Sequence, residues 1–141
     1  HVDFEKLRQM VMDTFYEKSY ARMQIFGRAL VESFLFMEGK CIVSYIRKKV
    51  MDFYGVKPKD LDGIVSQLRN TRGVEVAIFM YELDQNVFKV SLRSGNEVDV
   101  SKIAGYFGGG GHEKASGVTM TGTPQDILNN LAERIDEQLK G

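Results

Sequence analysis

The residues whose types and spacing point most clearly to a chemical role are four consecutive glycines, Gly108 to Gly111, followed by His112. Glycine loses more backbone entropy on folding than any other residue, so such a run indicates positive φ angles or close approach to the main chain. Without Cβ atoms, successive N–H groups can form a concave nest for an anion such as a phosphate. His112 stands at the edge of this loop and can hydrogen-bond the same anion. The alternative is a tight crossover from helix to strand, for which one or two glycines would suffice.

Arg93 is the second candidate, because it stands at the end of a predicted strand, just before Ser94. A guanidinium can hold a phosphate through two parallel N–H bonds, a geometry that lysine cannot copy. Spacing alone favours an ordinary exposed arginine, since arginine is mostly found at protein surfaces. Lys89 and Ser91 share the face of Arg93 in an extended strand and are secondary candidates.

The elements that would position these residues alternate between strands and helices. Strands are predicted at 41–46, 74–83, 87–93 and 117–121, and helices at 47–54, 60–70, 98–107 and 123–139. Strand 74–83 is apolar on both faces, which predicts a central position, whereas 87–93 alternates between apolar and polar residues. The sequence therefore predicts an α/β fold with a mixed sheet of about four strands flanked by helices.

The first 40 residues are predicted to be mainly helical. Two helices are expected, at 3–17 and 19–37, because apolar residues recur at steps of three or four. Gly39 is predicted to end the second helix. The apolar positions of the first helix are Phe4, Leu7, Val11 and Phe15. Such stripes usually pack against a core or a partner domain.

Composition limits the class of protein and of ligand. The chain has 141 residues, 43% of them hydrophobic and 27% charged, with a formal net charge of zero. This balance is typical of a soluble globular protein, and no membrane span or signal peptide is expected from the apolar runs. A cytoplasmic protein is expected from the cysteine content. Cys41, the one cysteine, is expected to be a reduced core residue. Proteins that track long nucleic acids usually carry a basic face, so zero net charge favours a short or mononucleotide-sized ligand.

The segment from Val98 to Gly117, VDVSKIAGYFGGGGHEKASG, closely resembles the glycine-rich motif of the DHH-family phosphoesterases. Two further stretches, GVEVAIFMYE at 73–82 and KVSLRS at 89–94, are similar to the two hairpin strands of the same family. In that family the motif belongs to the C-terminal substrate-binding domain. The resemblance covers residues 41–141, the substrate-binding domain, and residues 1–40 resemble the helical connector that follows the family's catalytic domain. It is closest to the branch that degrades very short oligoribonucleotides and dephosphorylates 3′-phosphoadenosine 5′-phosphate.

The resemblance implies roles for particular residues. The family uses the arginine of the motif to hold substrate, and its glycines and histidine contact the nucleotide. Carried to this sequence, the candidate substrate-binding residues are Arg93, Ser94, Gly109, Gly110, Gly111, His112 and Ser116. No catalytic or metal-binding residue is expected, because the sequence contains no Asp-His-His motif and its only histidines are His1 and His112. Two divalent metal ions, expected to be manganese, would belong to an absent catalytic domain.

The chain is therefore expected to be the substrate-binding part of a larger enzyme, and its first residue, His1, suits a C-terminal fragment. Its expected partners are short RNA or a nucleotide and the catalytic domain, and by itself it is expected to be inactive. Within the family the alternatives are a cyclic-dinucleotide phosphodiesterase and a single-strand exonuclease. Outside it, one alternative is an RNA-binding module like the C-terminal domain of alanyl-tRNA synthetases. Another is a structural module whose apolar helix at 19–37 pairs with itself, in a homodimer, or with another domain.

Overall fold

A computed structural model describes residues 3–141, with side chains described for 3–10 and 20–141. A six-stranded mixed sheet has the order β1-β2-β3-β4-β6-β5. The strands are β1 (Phe34–Phe36), β2 (Cys41–Ile46), β3 (Val76–Asp84), β4 (Val87–Ser94), β5 (Gly110–His112) and β6 (Ala115–Thr121). The helices are α1 (Phe4–Val31), α2 (Lys48–Tyr54), α3 (Ile64–Arg69), α4 (Val100–Tyr106) and α5 (Pro124–Lys140), with a 3₁₀ turn at Pro58–Leu61. The predicted α/β class and mixed sheet are confirmed; the division between 1–40 and 41–141 stays a prediction.

The sheet is antiparallel except between β2 and β3, which run parallel. Parallel neighbours need a long crossover, and α2 and α3 supply it here. The prediction that the strand at 74–83 is central is confirmed, because β3 lies between β2 and β4 and its first five residues are buried. No helix among the described residues combines the length and apolarity that a membrane span requires.

The prediction of two N-terminal helices is wrong. A single helix, α1, continues to Val31, and the apolar residues after it form β1, which pairs with β2. Gly39 does not end a helix: it has a φ of 83° in the turn that joins β1 to β2. Helical spacing of Phe34 and Met37 suggested a longer helix, but pairing of β1 with the next strand, β2, overrode that pattern. The side chains of Val11 and Phe15 lie outside the described residues.

Other predicted bounds are also corrected. The helix expected at 60–70 is interrupted, because Gly63 adopts a φ of 98° between the 3₁₀ turn and α3. The loop expected around the glycine run contains a short edge strand, β5, so the sheet has two more strands than the four predicted. The start of α5 is confirmed: Pro124 is its first residue and the Thr123 hydroxyl accepts a hydrogen bond from Asp126 N–H at 3.1 Å.

The two faces of the sheet are covered differently. On one face, α4 and α5 pack against all four long strands, and this core includes Phe88, Val90 and Leu92. On the other face, α1, α2 and α3 cover β2 and β3, through a second core that includes Ala77 and Phe79. The polar residues of β4 lie on this second face, beyond the helices.

Cys41 is fully buried in the first core, which confirms its prediction as a core residue. Burial, together with the nearby charge of Glu75, raises the pKa of the Cys41 thiol to about 12. The thiol is therefore protonated at neutral pH and packs as a small apolar group.

Glu82 holds the connection from β2 to α2 against the β3–β4 turn. Its carboxylate accepts hydrogen bonds from the N–H groups of Lys48 (2.9 Å) and Asn86 (3.1 Å) and pairs with the Arg47 guanidinium at 3.1 Å. Burial alone would raise the pKa of Glu82, but these donors outweigh burial and hold the pKa below its ordinary value.

Glu82→Gln is expected to lower the free energy of unfolding by about 1–2 kcal/mol at pH 7, since bonds to a charged acceptor are lost. A lowered pKa in the folded state gives stability that is present above the unfolded pKa and disappears as pH falls through the folded value. The difference between wild type and variant should therefore shrink below about pH 4. Urea denaturation between pH 3 and 7 measures it, with the exposed Glu133→Gln as the control. A difference that is independent of pH would contradict the assignment.

Candidate functional site

The polar residues of β4 continue across β6 and β5 as one surface. In the register of the strands, Ser91 pairs with Gly117, which pairs with Gly110 of β5. Arg93 likewise pairs with Ala115, which pairs with His112. Because paired residues project to the same side of a sheet, these residues share a face. We call this surface, formed by Lys89, Ser91, Arg93, Gly110, His112, Ala115, Gly117 and Thr119, the open face.

The open face lies beside the helices. Ala77 of β3 pairs with Arg93, and Ala77 is covered by the core to which α3 contributes Ile64 and Leu68. The helical layer therefore ends next to Arg93. Arg93, Gly110 and His112 are exposed, and Gly117 is half-buried. The open face is therefore a part of the sheet that no helix covers, with Gly110 and Gly117 near its centre and α3 along one side.

Arg93 and His112, predicted as binding residues, lie on this face on either side of Ala115. Two strand spacings separate their Cα atoms, about 10 Å, and the small Ala115 side chain lies between them. Within the described part of the chain, neither side chain has a hydrogen-bond or ion-pair partner. An arginine and a histidine that flank a small residue without a counter-charge can together hold an anion.

The four glycines differ in their backbone φ angles and in the space that each would leave for a Cβ atom. Gly108 has a φ of 92° in the turn after α4. A Cβ on Gly109 would strike the Gly117 carbonyl oxygen and lie 2.5 Å from Val118 Cβ. Gly111 has a φ of 145°, and a Cβ there would lie 2.6 Å from the Ala115 carbonyl oxygen. Three of the four are thus required by the fold, which corrects the expectation that one or two would suffice for a crossover.

Gly110 is the exception. A Cβ at this position would meet nothing within 4 Å, and its φ lies outside the left-handed region. The fold therefore does not require glycine here, although Gly110 lies on the open face opposite Gly117. Close approach of a ligand to the main chain would explain a glycine at this position.

Ser94 and Ser116 lie on the opposite side of the sheet from Arg93, so the structure does not bring these two predicted binding residues to the open face. Ser94 is buried, and its hydroxyl donates to the Glu113 carbonyl oxygen at 3.2 Å. Ser94 N–H donates to the Lys114 carbonyl oxygen at 3.0 Å. Ser94 therefore fixes the β5–β6 turn that follows His112, an indirect role. Ser116 pairs with buried Leu92, and its hydroxyl is buried without a partner among the described residues.

Glu75 is a supporting residue that the sequence analysis missed. One of its carboxylate oxygens accepts hydrogen bonds from the N–H groups of Gly95 (3.2 Å), Glu97 (2.9 Å) and Val98 (2.8 Å). This buried carboxylate fixes the chain directly after Arg93, between β4 and α4. The available signal was an acid between Val74 and Val76, directly before the apolar run at 76–80, since buried acids are rare unless their oxygens are bonded.

The chemistry of the open face is that of an anion-binding surface. It offers the guanidinium of Arg93, the ammonium of Lys89, the imidazole of His112 and small hydroxyl side chains. Among the residues whose side chains are described, 3–10 and 20–141, no three His, Cys, Asp or Glu side chains are grouped so that they could hold a metal ion. The cationic side chains of the open face have the chemistry to hold a phosphate.

The chain is thus a small α/β domain whose six-stranded sheet leaves part of one face uncovered by helices. The DHHA1 domain family matches residues 38–141, and the chain belongs to this family. The match confirms the resemblance to the substrate-binding domain of the DHH phosphoesterases.

Several known proteins are similar to the chain. The bifunctional oligoribonuclease and PAP phosphatase NrnA of Thermus thermophilus is 35% identical over 82 residues, which are 57% of this chain and 25% of that protein. The chain therefore spans about a quarter of that relative. An exopolyphosphatase-related protein from Bacteroides fragilis shares the fold with a TM-score of 0.77 at 23% identity, over 96% of this chain and 39% of that one. PggH, a pGpG-specific phosphodiesterase from Vibrio cholerae, shares it with a TM-score of 0.60 at 9% identity, over 91% of this chain and 43% of that one.

Proposed function

We propose that this chain is the substrate-binding domain of a cytoplasmic phosphoesterase that acts on short oligoribonucleotides, on 3′-phosphoadenosine 5′-phosphate, or on both. The observation that carries the proposal is the pair of Arg93 and His112, which flank Ala115 on the open face without any partner in the described part of the chain. A guanidinium and an imidazole so placed suit a phosphate. Similarity to an oligoribonuclease and PAP phosphatase supports this substrate class.

The proposed role of the domain is positioning. Arg93 and His112 would hold one phosphate of the ligand, while Gly110 allows the ligand to approach the main chain. Holding the substrate in a fixed orientation removes part of the entropic barrier to its reaction. Divalent metal ions in a catalytic domain, expected to be manganese, would polarise the reacting phosphate and activate water. The chain itself would contribute no metal ligand.

The net charge of the chain indicates a short ligand. The chain has equal numbers of basic and acidic residues, 19 of each, so it lacks the excess of cations that long nucleic acids require. A few well-placed cations on the open face suit a nucleotide or a very short RNA.

The first test is an NMR titration of the ¹⁵N-labelled chain with AMP, 3′-phosphoadenosine 5′-phosphate and a two-nucleotide RNA. Amide shifts are expected at Gly110, His112 and Arg93, and none in α5. A folded RNA hairpin tests the alternative RNA-binding module, which would bind the hairpin more tightly than the short ligands. Absence of shifts at millimolar concentrations of all three short ligands would contradict the proposal.

The isolated chain is expected to hydrolyse none of these ligands in the presence of manganese, because the reacting groups would belong to the catalytic domain. A phosphate-release assay measures this, with a full-length phosphoesterase as the positive control. Turnover that depends on added metal would show that the chain itself holds the reacting groups and would overturn the proposed division of roles.

A further inference from the structure

Lys89 lies at the far end of the open face from Arg93. In the ladder it pairs with Tyr81 of β3 and Thr119 of β6, and it is half-buried. Lysines on open strands usually extend their ammonium groups into water. Here the ammonium lies 3.1 Å from the position that a Cβ on Gly117 would occupy, and Lys89 Cε lies 3.6 Å from it. The Lys89 side chain therefore lies along the sheet, over Gly117.

The direction of this side chain brings the ammonium towards Arg93. Gly117 pairs with Ser91, which lies between Lys89 and Arg93 on β4. The ammonium is therefore level with Ser91, two residues or about 7 Å along the strand from the Cα atom of Arg93. Lys89 and Arg93 thus supply two cations to the open face, rooted at different positions along β4. Two cations at different positions suit a ligand that carries two phosphates.

Within the described part of the chain, Lys89 forms no hydrogen bond and no ion pair. The acid on the neighbouring strand, Glu82, lies on the other face of the sheet and is occupied by Arg47 and two N–H groups. Lys89 thus places a positive charge over the open face, with space for an anion above Gly117 and Gly110.

We propose that Lys89 determines the specificity of the open face for ligands with two phosphate groups, such as a nucleoside bisphosphate or a dinucleotide with a terminal phosphate. Arg93 binds one phosphate and Lys89 binds the next. This inference rests on the proposed function, because it assigns a second phosphate position within the same site. Its consequence is that the chain binds a nucleoside bisphosphate more tightly than the corresponding monophosphate.

The test compares Lys89→Met with a matched control, Lys59→Met, which removes the same charge from the exposed 3₁₀ turn. Dissociation constants for AMP and 3′-phosphoadenosine 5′-phosphate are measured by NMR titration. Lys89→Met is expected to weaken binding of the bisphosphate about 10-fold, the usual size of one charge-assisted bond. Binding of AMP should change less than about twofold, and Lys59→Met should change neither. Lys89→Arg, which keeps the charge, should retain the preference for the bisphosphate.

The outcomes separate this inference from the proposed function. Equal weakening of both ligands by Lys89→Met, or no weakening of either, would overturn the role of Lys89 and leave the nucleotide site intact. Unchanged binding of both ligands by Arg93→Ala would instead refute the proposed function. Thermal unfolding of each variant shows whether the chain remains folded, and a structural role of Lys89 would not produce a difference between the two ligands.

Discussion

Replacing Gly109 by alanine is expected to destabilise the domain by about 3 kcal/mol, whereas the same replacement at Gly110 should leave stability nearly unchanged. A methyl group on Gly109 would strike the Gly117 carbonyl oxygen and lie 2.8 Å from Val118 Cα. These are backbone atoms of β6, which is paired on both sides, with β4 and with β5, and cannot move aside without breaking the sheet. A methyl group on Gly110 would meet no atom within 4 Å.

Binding is expected to respond in the opposite order. Gly110→Ala should weaken nucleotide binding about 10-fold, because its methyl group would occupy the surface from which a ligand approaches the main chain. Urea denaturation and NMR titration of each variant measure the two effects separately. If both variants are equally unstable, the structural distinction between the two glycines is wrong. If Gly110→Ala is stable and binds normally, the glycine run serves the fold alone.

Arg93→Ala is expected to weaken nucleotide binding about 100-fold, on the order of 3 kcal/mol, because it removes a charged group that can form two bonds to one phosphate. Arg93 is exposed and has no partner within the described part of the chain, so its removal leaves no buried group unsatisfied. Stability should therefore change by less than about 0.5 kcal/mol. A large loss of binding in a stable variant would identify Arg93 as a ligand-holding residue.

Two further variants sharpen this test. Arg93→Lys keeps the charge but loses the paired N–H geometry, and it should recover only part of the affinity. Arg72→Ala removes another exposed arginine, from the loop between α3 and β3, and it should bind like the wild type. Equal effects of Arg72→Ala and Arg93→Ala would mean that only the total charge matters, and the assignment of Arg93 would fail. Isothermal titration calorimetry with AMP provides the affinities.

The sequence by itself determined those features that depend on neighbouring residues. Thr123 and Pro124 specify the start of α5 through a cap and a preset φ, whatever the helix later packs against. The alternation of Phe88, Val90 and Leu92 with polar residues predicted which face of β4 is buried, because side chains alternate along any strand. The glycine run and its neighbouring motifs also indicated the family, and thereby the residues to consider as a site.

Only the tertiary structure decided which positions meet across the sheet. Phe34 and its neighbours have helical spacing but form β1, because a partner strand was available in β2. Gly109 and Gly110 are adjacent and of the same residue type, yet only Gly109 lies so close to β6 that a Cβ atom would not fit. Arg93 and Ser94 are adjacent in the sequence but lie on opposite faces, and the former is exposed while the latter is buried. The reason is that strand register depends on contacts between residues far apart in the chain, and a shift of one residue would exchange every side chain between the two faces.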